Sequence, residues 1–197
     1  MAIASENQTW TIALIGNPNT GKSTLFGALS GSRQRVGNYP GVTVEKKLGD
    51  VVHDGRRWIL VDLPGTYSLA PRSPDEMVAV DVLLGRRTDV QPPDVVICVV
   101  SASNLARNLY LVSQVLELGR PVVIALSMGD LAEADGLTVD VARLGRQLGV
   151  PIVPILAQRG QGLEALKQAV EEPGSKPAPT ITSPFPSALR EEADRIA

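Results

Sequence analysis

Three observations predict a three-layer α/β/α fold with a mixed, mostly parallel six-stranded sheet. Four short runs are continuously apolar, helical stretches lie between them, and two further β-rich runs flank a tight-turn signal. Thr11 to Ile15, Val95 to Val100, Val122 to Leu126 and Ile152 to Ile155 are the apolar runs, as expected of strands covered on both faces. Their alternation with helical stretches reads as repeated strand-helix-strand units. Val42 to Val52 and Arg57 to Val61 flank His53-Asp54-Gly55-Arg56, which predicts an antiparallel hairpin at the sheet edge, with His53 as a turn residue.

The helices carry their own punctuation. Ser73-Pro74-Asp75-Glu76 is a capping box with proline at the first helical position, opening a surface helix to about Leu84 that stops at Gly85. Leu105, Leu109, Val112 and Leu116 predict one helical face, closed by Gly119 and Pro121. Similar stripes run through Val141, Leu144 and Leu148, and through Leu163, Leu166 and Val170. Pro173, Pro177, Pro179, Pro184 and Pro186 then mark a linker. The expected organisation is a domain over 1–170, a Pro-rich linker over 171–186, and the start of a truncated helical domain over 187–197.

Composition excludes several function classes. The 197 residues carry 19 basic and 21 acidic side chains, a formal net charge of −2, so there is no basic field suited to a phosphate backbone and no nucleic-acid partner is expected. Arg33, Arg35, Lys46, Lys47, Arg56 and Arg57 near the hairpin read as a solvated face. The single Cys98 lies inside an apolar run and reads as a buried thiol. No apolar stretch approaches the ~20 residues a membrane-spanning helix needs, and the first residues lack a signal-peptide pattern, so the piece is expected to be soluble and cytosolic.

The strongest signal is Gly16-Asn17-Pro18-Asn19-Thr20-Gly21-Lys22-Ser23, which fits GxxxxGK[ST] directly after one strand and opens a helix through Thr24 to Leu29. Glycines allow backbone N–H groups to wrap phosphates, the helix N-terminus favours negative charge, Lys22 offsets β/γ charge, and Ser23 offers a hydroxyl to Mg²⁺. Asp62-Leu63-Pro64-Gly65 begins 40 residues after Lys22, at the end of a strand. There Asp62 can hold Mg²⁺ through water and the Gly65 N–H can sense a γ-phosphate. Between the two lies Val36-Gly37-Asn38-Tyr39-Pro40-Gly41-Val42-Thr43, read as a flexible stretch whose Thr43 hydroxyl completes the Mg²⁺ shell. Asp130, after the strand Val122 to Leu126, can accept from both N1–H and the 2-amino group of guanine, which adenine cannot supply.

Together these motifs resemble the translation-factor-type GTPases, a P-loop NTPase G domain, and among them the resemblance to the FeoB ferrous-iron transporters is close. It rests on Gly16 to Asn19, Arg35 to Glu45, Asp62 to Leu69 and Ala102 to Leu111, in order and spacing, and covers roughly residues 9 to 170. It implies a GTP/GDP-binding switch that uses Mg²⁺ and is joined through a helical domain to a transmembrane part moving Fe²⁺, so the full-length protein would sit in the bacterial inner membrane. It places Gly16 to Thr24, Gly41 to Thr43, Asp62, Gly65, Ser127, Met128, Asp130, Leu156, Ala157 and Gln158 around the nucleotide, with Lys22, Asn19, Thr43 and Gly65 in catalysis. It also implies a K⁺ ion in place of an arginine finger, held by the Asn19 side chain and the carbonyls of Gly37 and Tyr39. Thr66 after Gly65 rules against a water-positioning glutamine.

The base site departs from the family pattern. Ser127-Met128-Gly129-Asp130 stands where NxxD is expected, Leu156-Ala157-Gln158 where SA[KR] is expected, and Ser101 where the family tends to have Asp. Ser127 is read as too short to bridge base and phosphate loop, a loss of ~1 kcal/mol or somewhat more. Two alternatives stay open: a switch with relaxed GTP/ATP selection or little hydrolysis, and a ribosome- or RNA-associated GTPase of the Era or EngA type.

Overall fold

The computed structural model describes residues 9–174. Seven strands form one sheet in the order β2-β3-β4-β1-β5-β6-β7: β1 (Trp10–Gly16), β2 (Gln34–Asn38), β3 (Glu45–His53), β4 (Arg56–Asp62), β5 (Val95–Ser101), β6 (Val122–Ser127) and β7 (Ile152–Pro154). β1 pairs in parallel with β4 and β5, and β6 and β7 continue the parallel half. β3 runs antiparallel to β4, and β2 antiparallel to β3. The sheet therefore has one strand more than the six expected.

The extra strand is β2, whose residues Gln-Arg-Val-Gly-Asn are all exposed. A strand held only by backbone pairing to an edge leaves no apolar alternation in the sequence, so part of the stretch read as flexible is an ordered edge strand. The hairpin is present, but β3 starts at Glu45 and keeps His53 as its last, buried residue. The turn is Asp54-Gly55 alone, with φ of 45° and 80°. Left-handed backbone at both central positions is the two-residue turn that matches strand twist.

Successive side chains of the central strands point to opposite faces, and two cores follow from that period. On one face Ala13, Ile15, Val61, Val96, Cys98, Val100, Ile124 and Leu126 pack under α2 (Pro74–Leu83) and α3 (Leu105–Glu117). On the other, Ile12, Leu14, Leu60, Val95, Ile97, Val99 and Val123 pack under α1 (Lys22–Ser30) and α6 (Leu163–Gly174). The expected three layers are thus formed. Burial pushes the Cys98 thiol up to about 12, which makes it an inert core residue.

Two helices differ from their sequence patterns in detail. The buried face of α3 is Asn108, Leu111, Val112, Val115 and Leu116, while Leu105 and Leu109 are only partly buried at its margin. In α2, Ser73 caps the Glu76 N–H at 3.2 Å, but the Glu76 carboxylate accepts from the Arg72 N–H at 2.8 Å rather than from Ser73. That helix is half buried rather than superficial. Two short helices, α4 (Gly129–Ala134) and α5 (Val141–Leu148), flank β6 and β7. α6 continues four residues beyond Val170, so the first residues assigned to the linker are helical. The rest of the linker and the 187–197 segment lie outside the described residues.

Candidate functional site

The site lies at the carboxyl ends of β1, β4 and β6, and each part is placed by a local necessity. Gly16 ends β1 where β5 crowds it: a Cβ there would stand 2.6 Å from the Val99 carbonyl oxygen. Asn19 and Gly21 take left-handed backbone, φ 64° and 84°, which curls the chain into a concave loop. The loop delivers α1 with no side-chain cap at Gly21. An uncapped helix start presents backbone N–H donors and the positive end of the helix dipole, which suits an anion.

Internal ties hold the loop. The Thr20 hydroxyl donates to the Asn17 carbonyl at 2.9 Å, and the Ser127 hydroxyl donates to the Thr20 carbonyl at 2.7 Å. The Thr66 N–H donates to the Gly16 carbonyl at 3.2 Å, which fastens the segment after Asp62 to the loop. Lys22 is ion-paired with Asp62, both nearly buried. The Asn17 amide is buried with no hydrogen bond at either end. Gly65 faces Pro18 so closely that an added Cβ would meet the Pro18 ring at 3.3 Å.

Two cavities flank the start of α1. One, of about 200 Å³, is lined by Lys22, Ser23, Glu45, Lys47, Asp62, Pro64 and Asp75. Its hydroxyl and carboxylate oxygens are the hard donors that suit Mg²⁺. The other, of about 300 Å³, is lined by Gly21, Thr24, Ser127, Met128, Asp130, Leu131 and the run Ile155 to Gln158. Met128, in left-handed backbone, Leu131, Ile155 and Leu156 give it apolar walls for a flat ring, with Asp130 as its acidic group. Ala157 opens a short 3₁₀ turn at its rim.

The structure thus joins most of the expected site, with three differences. Ser127 keeps the loop half of the bridge, which the expectation does not separate from the base half: its hydroxyl donates to the Thr20 and Val100 carbonyls. Gly41, Val42 and Thr43 line a hollow with Pro74 and are not among the residues that line the cavity of Ser23 and Asp62. In the expected K⁺ set the Tyr39 carbonyl already accepts from the Val42 N–H at 3.3 Å, Gly37 sits within β2, and Asn19 lies on the phosphate loop in left-handed backbone.

One cluster was not foreseen. Lys46 is not part of a solvated face: it donates to the Asp89 carboxylate at 2.8 Å and to the Asp89 carbonyl at 2.7 Å. Arg87 donates to the same carboxylate at 2.7 Å and to the Pro40 carbonyl. Both cations stand over the buried Tyr39 ring, at 5.5 Å and 5.0 Å from its centroid. Burial raises the Asp89 carboxyl, but the hydrogen bonds from Lys46 and Arg87 outweigh it and leave the group below its ordinary value. Burial, then the Asp89 charge, push the Tyr39 phenol far up. The cluster pins the Tyr39 to Val44 segment to the loop before β5. Nothing in sequence spacing joins residues 39, 46, 87 and 89; only the tertiary fold makes them neighbours.

The profile of the family described as ferrous iron transport protein B matches residues 10–170. The Fe(2+) transporter FeoB of Salmonella typhimurium is 47% identical over 191 residues, 95% of this chain and 24% of that protein. The chain therefore spans about a quarter of the length of this relative. The G domain of the T. maritima FeoB iron transporter superposes with a TM-score of 0.77 at 40% identity, covering 85% of this chain and all of that one. The cytosolic domain of L. pneumophila FeoB gives 0.83 at 43% identity, covering 93% and 77%. The cytosolic domain of T. maritima FeoB in a GDP form gives 0.85 at 38% identity, covering 96% and 72%. A ribosome- or RNA-associated GTPase is thereby set aside, and the chain belongs to the ferrous iron transport protein B family, as an N-terminal G domain.

Proposed function

We propose that this domain binds GTP with Mg²⁺ and hydrolyses it, and that it serves as the nucleotide switch of a ferrous-iron transporter of the bacterial inner membrane. The observation that carries the reading is the joining of the loop Gly16 to Ser23, the Lys22–Asp62 pair and the Asp130 cavity at one end of the sheet. Lys22 would exchange Asp62 for the β- and γ-phosphate oxygens, and Ser23 directly and Asp62 through water would hold Mg²⁺, which would supply charge neutralisation at the phosphates. Asp130 accepts from the guanine N1–H and 2-amino groups, and the Ala157 N–H meets O6. The Gly65 N–H reads the γ-phosphate.

Phosphoryl transfer to water needs positioning and positive charge more than covalent chemistry. Thr66 supplies neither, because its hydroxyl donates to the Ser68 carbonyl at 2.8 Å and its side chain is buried. Turnover is accordingly slow, and a K⁺ ion, which Asn19 with the Gly37 and Tyr39 carbonyls would hold, would supply the missing charge; Thr43 would reach the Mg²⁺ once the span 41–43 rearranges. Equal turnover in KCl and NaCl would sink the K⁺ role.

A second reading is favoured by Ser127, whose hydroxyl is committed to backbone carbonyls: base selection rests on Asp130 and is relaxed toward ATP. Phosphate release from GTP and ATP, each in KCl and NaCl, tests both readings with Lys22→Ala as the blank and EDTA removing Mg²⁺. K⁺-stimulated, EDTA-sensitive release favouring GTP is expected. Similar rates on both nucleotides establish relaxed selection, and no release above the blank leaves only a binding module. The remaining partners are the protein's own helical and transmembrane domains. No described helix is long and apolar enough to cross a membrane, and the near-neutral charge gives no support for a nucleic-acid partner.

A further inference from the structure

The opposite end of the sheet carries a second concentration of chemistry. β4 runs from Arg56 to Asp62, so the Asp54-Gly55 turn lies about 20 Å from the nucleotide end. There the only histidine of the chain, His53, is 6% exposed, and its Nε2 has no hydrogen-bond partner. A buried ring nitrogen without a partner costs free energy and calls for an explanation, and a bound ion is one that a nitrogen ligand facing carboxylates fits. Nε2 faces the Asp54 carboxylate at 3.7 Å. Ligand atoms of His53, Asp54 and Glu171 all lie within 4.8 Å of one another. The other ring nitrogen, Nδ1, is 3.4 Å from the Glu164 carboxylate, whose second oxygen accepts from Lys167 at 3.2 Å.

We propose that His53, Asp54 and Glu171 form a binding site for a divalent first-row transition-metal ion, distinct from the nucleotide's Mg²⁺ site. One imidazole and two carboxylates form a borderline-hard donor set of the kind that takes Fe²⁺, Mn²⁺, Co²⁺ or Zn²⁺. Glu164 is a positioning residue: 3.4 Å from Nδ1, its carboxylate would take the Nδ1–H when the ion binds and so leave Nε2 as the ligand atom. Ligand atoms around such an ion lie roughly 3–3.5 Å apart when each metal bond is about 2.1 Å, so the set must draw in by about 1 Å. Asp54 can supply that movement, because its side chain is 78% exposed at the tip of a two-residue turn. Binding would clip the β3–β4 turn to the last turns of α6.

The test is a Co²⁺ titration of the nucleotide-free, Mg²⁺-free protein, followed by tryptophan fluorescence and by equilibrium dialysis. The Trp58 ring centroid stands 5.5 Å from that of His53, so a paramagnetic ion bound there quenches it. One ion per chain with quenching is expected. Asp54→Asn and Glu171→Gln each weaken binding by roughly tenfold or more, Glu164→Gln by about tenfold, and Ser23→Ala leaves it unchanged. His53→Ala abolishes it, but packing against Trp58 makes that variant a folding risk, so the two carboxylate variants decide. Unchanged Co²⁺ affinity in both, or binding lost only in Ser23→Ala, would overturn the site. None of these readouts depends on nucleotide turnover.

Discussion

Replacing Ser127 by alanine separates the two jobs that a residue at this position can have. Its hydroxyl is buried and has one proton, shared between the Thr20 carbonyl at 2.7 Å and the Val100 carbonyl at 3.1 Å. Both acceptors are backbone, so Ser127→Ala takes a tie from the phosphate loop and nothing from the base. A buried carbonyl that loses its donor costs about 1–2 kcal/mol. For a domain of this size that lowers Tm by roughly 2–8 °C. If the whole loss falls on ordering the loop, nucleotide affinity falls by about five- to thirtyfold, and equally for GTP and ATP. Asp130→Asn is the complement: it removes a charged double acceptor from the base cavity, about 3 kcal/mol or roughly a hundredfold on GTP, and leaves ATP nearly untouched. Competition against a fluorescent GDP analogue measures all four affinities, and differential scanning fluorimetry gives the Tm. Ser127→Ala weakening GTP while sparing ATP would refute the reasoning, since it would place the hydroxyl on the base.

Other perturbations test the scaffold. Gly16→Ala forces a methyl to within 2.6 Å of the Val99 carbonyl, so β1 and β5 must part; a loss of about 1–3 kcal/mol in thermal or urea unfolding is expected, together with lost nucleotide binding. Lys22→Ala strips a buried carboxylate of its partner and should lower nucleotide-free stability by about 3 kcal/mol; Lys22→Met with Asp62→Leu should regain it without regaining binding. Asp89 has a folded-state value below its ordinary 3.8, so its contribution is complete above that pH and is lost as pH falls through the lower folded value. Asp89→Asn should therefore flatten the stability curve below about pH 4, as followed by circular dichroism. Ser73→Ala removes the cap on the Glu76 N–H, and a loss of about 1 kcal/mol in urea unfolding is expected.

The parallel core of the fold was legible because buried strands leave a simple trace. Val95 to Val100 and Val122 to Leu126 are apolar at every position, and both became strands buried on two faces. Gly16 to Ser23 was equally plain, since phosphate chemistry needs fixed residue types at fixed spacing. β2 was not legible, because Gln34 to Asn38 pair through backbone atoms and keep their side chains in solvent. His53 was read as a turn residue from its neighbours Asp54 and Gly55; the turn takes only those two, which leaves the imidazole at a strand end under Glu164. The Tyr39–Lys46–Arg87–Asp89 cluster was hidden for a third reason. A salt bridge across 43 residues has no period, and only the folded chain brings β3 to the loop before β5.

The two halves of the nucleotide end are ordered to different degrees, and the hydrogen bonds account for the contrast. Fixing a residue's backbone costs about 1–2 kcal/mol, so a loop that must close on its ligand spends binding energy on its own ordering. The phosphate loop avoids that cost. Thr20 to Asn17, Ser127 to Thr20 and Thr66 to Gly16 tie it to itself, to β6 and to the segment after β4. Lys22 and Asp62 neutralise each other at the positions where a phosphate and a divalent ion would take each as a partner. Exchange of that pair for ligands keeps both charges compensated, so the loop can remain formed with and without nucleotide. Thr43 has no such tie. Its neighbours Tyr39 and Val44 are anchored through the backbone and through Lys46, Arg87 and Asp89, while Gly41, Val42 and Thr43 span the gap beside a separate hollow. A short span between fixed anchors, held inside only by the Val42 N–H on the Tyr39 carbonyl, could under the proposed function carry Thr43 to the metal without disturbing the sheet, with Tyr39 and Val44 as the hinges.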